Sequence, residues 1–325
     1  MSVLGAPAAA LAWIGRQGTR AIAALVFIGI AVPPLDALLR PFVTPAIFLL
    51  LCIAFTRVDP AALRPYLRRP GLVLAATAWT MAVVPLLFGA ICLALGLDVR
   101  SADLFLALML QAIAPPMMAG PAFAALMGLD ATLVLATLVV SCVLTPLTAP
   151  LFAYLLIGPA LTLSPAMLGL KLFLILAGSA LVAFVIRRLV GPAVIARRRD
   201  EIDGLNILVA FVFVGAVTEH VAERFMASPI ATLGLAALAF AVSIAVLGFT
   251  GVVFAIAGRE RAFALAFMVS QRNMGLMLAA TGGILPDYVW LYFALCQFPI
   301  YLLPQLLKPL ARRLIGRSPI VARAV

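Results

Sequence analysis

Residues 271–273, Gln-Arg-Asn, sit in the middle of the apolar run AFALAFMVSQRNMGLMLAATGG (262–283). Arg272 carries a permanent charge and offers only hydrogen-bond donors. The chemistry this suits is recognition of an anion, because a guanidinium grips a carboxylate or sulfonate bidentately. A cation at the centre of a membrane helix costs about 2.5–3.5 kcal/mol on insertion scales, so such groups usually face a cavity and mark a functional path. The nearest carboxylates in sequence, Glu260 and Asp287, fall on opposite sides of the run, and Asp103, Asp130 and Glu219 fall near the ends of other apolar segments. Three kinds of partner therefore stay open for Arg272: an anionic ligand, water, or backbone carbonyls freed from a broken helix.

A second segment supplies such a break. In ADLFLALMLQAIAPPMMAGPAFAALMG (102–128), Pro115, Pro116, Gly120 and Pro121 crowd into seven residues. Proline removes a backbone donor and clashes with the preceding turn, and it pushes the residue before it out of helical geometry. Pro115 lies about 12 residues from one end of its run, and Arg272 about 10 from the opposite end of its own, so both arrive roughly 15–18 Å deep. Around them, Gln271, Asn273, Thr80 and Gln111 are deep polar side chains that either join a site or bond across helices, and Gln297 is balanced between the two. Trp79, Met117, Met118, Phe123, Met268 and Met274 are candidates for an apolar lining or for ordinary core. Together Arg272, Asn273, Gln271, Pro115, Pro116, Gly120, Pro121, Met268, Thr80 and Gln111 make the candidate substrate site.

The elements that must position these residues follow from composition. Of 325 residues, 66% are hydrophobic and 11% charged, against about half and a quarter in soluble domains. Apolar stretches of about 20 residues, enough to cross a hydrocarbon core about 30 Å thick, recur along the chain. Within a bilayer they must be helical to satisfy their own backbone, so the fold expected is an all-α polytopic membrane protein. Charges, prolines and glycines divide it into ten transmembrane helices, near 20–39, 41–57, 71–97, 103–128, 131–157, 164–186, 204–222, 229–257, 262–283 and 286–307. Residues 1–19 read as a cytoplasmic lead-in, or as a segment lying along the interface. Residues 20–157 and 158–310 make two five-helix halves, and 311–325 form a basic tail.

Charge orients the spans. With the first residues inside, eighteen of the 23 cations fall in inner segments and only Arg40, Arg100 and Arg224 in outer ones. That asymmetry is the positive-inside pattern, and it accounts for the net charge of +11 without nucleic acid as a partner. The expected location is the inner (plasma) membrane, with both termini cytoplasmic. Five crossings per half force the halves to enter from opposite faces, so any repeat is inverted. Discontinuous helices at matching positions of inverted repeats are where secondary transporters place their sites. The two remaining cations lie within spans: Arg272, and Lys171, expected to snorkel to the interface. Glu219 and His220 are read as an interfacial pair, with proton coupling as the alternative. The loop RRLVGPAVIARRRDEIDG (187–204) reads as solvated and basic.

The residues also carry a resemblance. PPMMAGP (115–121) with Asp130, and MVSQRNMGL (268–276) with Asn273, Gly275 and Leu276, resemble the fourth and ninth spans of the bile-acid/sodium symporter family, whose relatives include arsenite-efflux permeases. The likeness runs from about residue 20 to 310. It implies a panel domain and a core domain in which the fourth and ninth helices, both discontinuous, cross. The family's sodium ligands would fall at Gly120, Pro121, Val134, Leu138, Met268, Arg272 and Thr80, where this chain has lost almost every suitable oxygen. Arg272 would then supply permanently the charge that sodium supplies in relatives. The cysteine of the arsenite branch is replaced by Pro116.

The function expected is secondary active transport of a small, amphipathic or carboxylate organic anion by alternating access. The alternatives are a sodium-coupled symporter with backbone ligands and a membrane protein that binds without transporting. No phosphate-binding loop, HExxH or serine elbow appears, so no enzyme is expected. Cys52, Cys92, Cys142 and Cys296 lie in apolar segments without metal-site spacing, and neither cofactor nor metal is expected.

Overall fold

A computed structural model describes residues 5–17, 38–158, 161–218, 221–282 and 285–315. The first expected span (20–39), Glu219 and His220, and the end of the basic tail lie wholly or almost wholly outside these residues. The described residues are helical and contain no β-strand. Among the described residues six helices are long and apolar enough to cross a membrane, which makes this a polytopic membrane protein in its architecture.

The helices run as α1 (Gly5–Gln17), α2 (Val43–Thr56), α3 (Pro60–Arg68), α4 (Gly71–Ala94), α5 (Ala102–Ile113), α6 (Gly120–Met127) and α7 (Ala131–Ile157). They continue as α8 (Pro165–Val190), α9 (Arg199–Val217), α10 (Pro229–Val253), α11 (Arg259–Ser270), α12 (Met274–Thr281) and α13 (Asp287–Ile315). Their starts are encoded locally. Pro165 and Pro229 stand in first turns, where the missing N–H costs nothing. Ser164 accepts from the Met167 amide, and Asp130 accepts from the Leu133 amide. Asp130 also takes the hydroxyl hydrogen of Tyr66, which ties α3 to the start of α7. Burial first, then that bond, lifts the Tyr66 phenol above its ordinary pKa.

The structure adds detail to three stretches. Within the expected lead-in, residues 5–17 form the helix α1, packed antiparallel on α9 so closely that a Cβ on Gly204 would run into the Leu11 carbonyl. A Cβ on Gly15 would likewise meet the Asp200 carbonyl, and Arg16 pairs with Asp200 at 3.7 Å. Small residues let two helix backbones approach in this way. The stretch 187–204 is not simply a solvated loop, because a short helix fills Pro192–Arg197 and α9 already begins at Arg199. Asp200 and Glu201 in the first turn favour that early start, and Asp203 is held by Arg57 at 2.6 Å. Finally, α2 has 14 residues, and the tight helical turn Arg40–Phe42 just before it carries the helical stretch over the expected interval 41–57 to within one residue.

The core lies around the interrupted helices. Every residue from Ala262 to Ser270 and from Met274 to Thr281 is buried, with Phe267, Tyr292 and Phe293 among the largest fully enclosed side chains. By contrast α8 and α10 bury only 28% and 22% of their apolar windows, so they form the outer surface. A helix that is hydrophobic all round belongs in the interior, and α12 meets that description.

Candidate functional site

The site is built by two interruptions that face each other. α5 stops at Ile113, and Ala114 turns extended (φ −64°, ψ 144°) ahead of Pro115 and Pro116. α11 stops at Ser270, and Gln271 is extended too (φ −102°, ψ 104°). The two short strands of backbone pair antiparallel at Pro116 and Arg272. The Met117 amide donates to the Gln271 carbonyl at 2.8 Å, and the Asn273 amide donates to the Pro115 carbonyl at 2.8 Å. Backbone groups released by each break are thus satisfied by the other, as burial demands. Beyond the crossing the chain becomes helical again. The Asn273 side chain accepts from the Leu276 amide at 3.0 Å and so caps α12.

Arg272 occupies the crossing and is 4% exposed. Its Nη1 donates to the carbonyls of Ala114 (2.9 Å) and Thr80 (3.2 Å), and Nη2 donates to Thr80 at 3.3 Å. Prolines vacate both acceptors. Ala114 lies in the Pro115–Pro116 break. Thr80 lies in a widened turn of α4 over Trp79–Val83, where bonds run to the fifth residue on. For Thr80 that residue is Pro85, which has no N–H. Three of the five guanidinium N–H groups are thereby used, and among the described residues no carboxylate pairs with Arg272.

Arg272 also lines a cavity of about 520 Å³. Met117, Met118, Pro121, Phe123, Asn273 and Met274 share its wall. The opposite end runs to Arg16, Arg57, Arg199 and Asp203. α6 presents its N-terminus to this space. Its first turn has no side-chain cap, Pro121 has no N–H, and the Gly120 and Phe123 amides bond to the Met117 and Ala119 carbonyls. Ala122, in that first turn, also lines the cavity, within the positive field of a helix start.

Several candidate residues are placed differently from their sequence reading. Thr80 contributes its carbonyl, while its hydroxyl turns back to the Ala76 carbonyl at 2.6 Å. Gln111 does not line the cavity; its amide oxygen accepts from the Tyr292 hydroxyl at 2.5 Å. Met268 is 1% exposed within the core, and Trp79 borders a different groove. Gln271 is fully buried, its Nε2 donating to the Ser270 hydroxyl at 3.0 Å and its Oε1 unpartnered. Pro115, Pro116 and Gly120 shape the crossing through backbone alone. Gln297 does line the cavity. Lys171 stands against the end of α12: a Cβ on Gly282 would lie 3.0 Å from its Nζ. A cation there complements the carbonyl end of that half-helix. The four cysteines are buried and free.

Sequence reasoning missed Ala122 at the cavity, the Thr80 carbonyl and the Arg57–Asp203 pair. The spacing of Thr80 and Pro85 was the available signal for the second. No protein-family model matches the chain, and no curated protein matches it either. What fold and site define is an all-helical membrane protein with two helix breaks joined at a buried arginine.

Proposed function

We propose that this chain is a secondary active transporter of a small amphipathic organic anion, working by alternating access around the crossing of α5–α6 with α11–α12. In this reading the protein has ten membrane spans arranged as two inverted five-helix repeats, a core domain and a panel domain, and both termini on the cytoplasmic side of the plasma membrane. The cavity then opens inward, between the cationic Arg16, Arg57 and Arg199 at its mouth and Arg272 at its floor. The likeness to bile-acid/sodium symporters belongs to the same proposal.

One observation carries it: a guanidinium with no carboxylate partner among the described residues stands at the floor of a cavity where two helix breaks meet. An anion entering would find the two remaining guanidinium N–H groups and the positive start of α6, and the methionines would take its apolar body. Coupling to sodium is not part of the mechanism. The carbonyls of Thr80 and Ala114, which a cation would require, already accept from Arg272, and a fixed positive charge repels a second one.

A second reading draws on those same bonds: Arg272 pins the breaks in one geometry, and the protein binds an anion without moving it. Counterflow separates the two. Purified protein is first screened for organic anions that raise its melting temperature, since a ligand of the folded form stabilises it. The best ligand is then offered in labelled form to proteoliposomes loaded with the unlabelled compound. Transient accumulation above equilibrium supports the carrier. Binding without accumulation supports the receptor-like reading.

A further inference from the structure

A second concavity lies on the outer surface, away from the crossing. Trp79 bridges α4 to α10: its Nε1 donates to the Thr250 hydroxyl at 3.0 Å, and its ring meets Phe249 and Phe254 with centroids 5.3 and 6.2 Å away. From that bridge toward the start of α4 the facing residues are Ala78 and Ala75, too small to fill the space to Val253 and Ile256. The result is an open groove of about 640 Å³. Its walls are apolar except at one end, where Arg261 closes it. Arg261 is exposed and has no ion pair among the described residues. Arg261 is the one charged residue in the lining; in sequence it follows Arg259 and Glu260 in the first turns of α11.

We propose that this groove is a binding site for an anionic phospholipid, with one acyl chain lying along Ala75, Ala78 and Trp79 and the phosphate group on Arg261. The surroundings select this occupant. The groove opens on the surface that bears the apolar helices, and Ile256 on its rim is 98% exposed, so the medium it meets is acyl chain. Arg261 sits where such a chain would end in its headgroup. An amphipathic anion with its charge at one end and an apolar body complements both features, and basic residues at the membrane surface attract anionic lipids. Because Trp79 is the neighbour of Thr80, an occupied groove would lean on the turn whose carbonyl holds Arg272.

Trp79 reports its own occupancy. With Trp13 and Trp290 changed to Phe, its fluorescence is measured in vesicles containing phosphatidylglycerol or phosphatidylcholine with brominated acyl chains, which quench on contact. The site predicts an apparent affinity for the brominated phosphatidylglycerol about fivefold above phosphatidylcholine, the contribution of roughly one cation at the surface. Arg261→Gln should bring the two lipids level, while Arg188→Gln, outside the groove, should leave the preference intact. Equal quenching by both lipids, or a preference that survives Arg261→Gln, would overturn the proposal. If the double Trp→Phe background does not fold, native mass spectrometry decides instead. Retention of phosphatidylglycerol must then fall in Arg261→Gln, and unchanged retention counts against the site.

Discussion

The guanidinium of Arg272 donates twice to the carbonyl of Thr80, 192 residues earlier in the chain. That carbonyl is vacant because Pro85, at the position that would close its widened turn, has no N–H. A charge and a proline from distant segments thus answer each other's deficits. The charge needs acceptors in an apolar interior, and the carbonyl needs a donor.

Replacing Arg272 by Gln should remove anion exchange and lower stability together. The carbonyls of Thr80 and Ala114 would lose their donors, and an unsatisfied buried group costs about 1–3 kcal/mol. Thermal unfolding and counterflow on the same preparation measure both. Intact exchange in this variant would assign Arg272 to structure alone.

Pro85→Ala returns an N–H to α4 opposite Thr80. The restored donor competes with Arg272 for the carbonyl, so the variant should keep its fold while its ligand affinity changes. A melting temperature held or raised, with an altered ligand-induced shift, is the expected pair of readings. An unchanged shift would mean that the vacancy at Thr80 is immaterial to the site.

Gly204→Ala places a methyl group where the Leu11 carbonyl stands. Docking of α1 on α9 should fail, exposing the bond after Arg16 to trypsin under conditions where the unmodified protein resists. Equal resistance in both proteins would show that α1 docks by another register.

Gly275→Ala tests how tightly α12 is seated. A Cβ there meets Ile47 and the Phe213 ring, and overpacking of this kind typically costs about 1–3 kcal/mol. Thermal unfolding should register the loss, and Gly251→Ala, whose Cβ would sit in ordinary contact 3.7 Å from Ala266, should be tolerated far better.

The positions of the breaks were legible in the sequence and the directions of the side chains were not. Four helix breakers in 115–121 and a charge at 272 announced two interruptions at matching depth, and those interruptions are where the chain crosses. Composition likewise announced the all-helical membrane architecture. Thr80, Gln111 and Met268 lie at useful depths, yet their side chains turn toward Ala76, Tyr292 and the core. Apolar segments without amphipathic periodicity do not encode which face points inward. The docking of α1 was hidden for another reason. Gly15 and Gly204 are each unremarkable locally, and only the fold brings one helix backbone against the other.

Counterflow of the best-binding organic anion, run with sodium and again with choline in its place, decides whether Arg272 replaces a bound cation. If Arg272 serves as the fixed positive charge of the site, labelled substrate should accumulate to the same extent in both salts, and the Arg272→Gln protein should accumulate none in either. Accumulation in the unmodified protein that appears only with sodium would contradict the account.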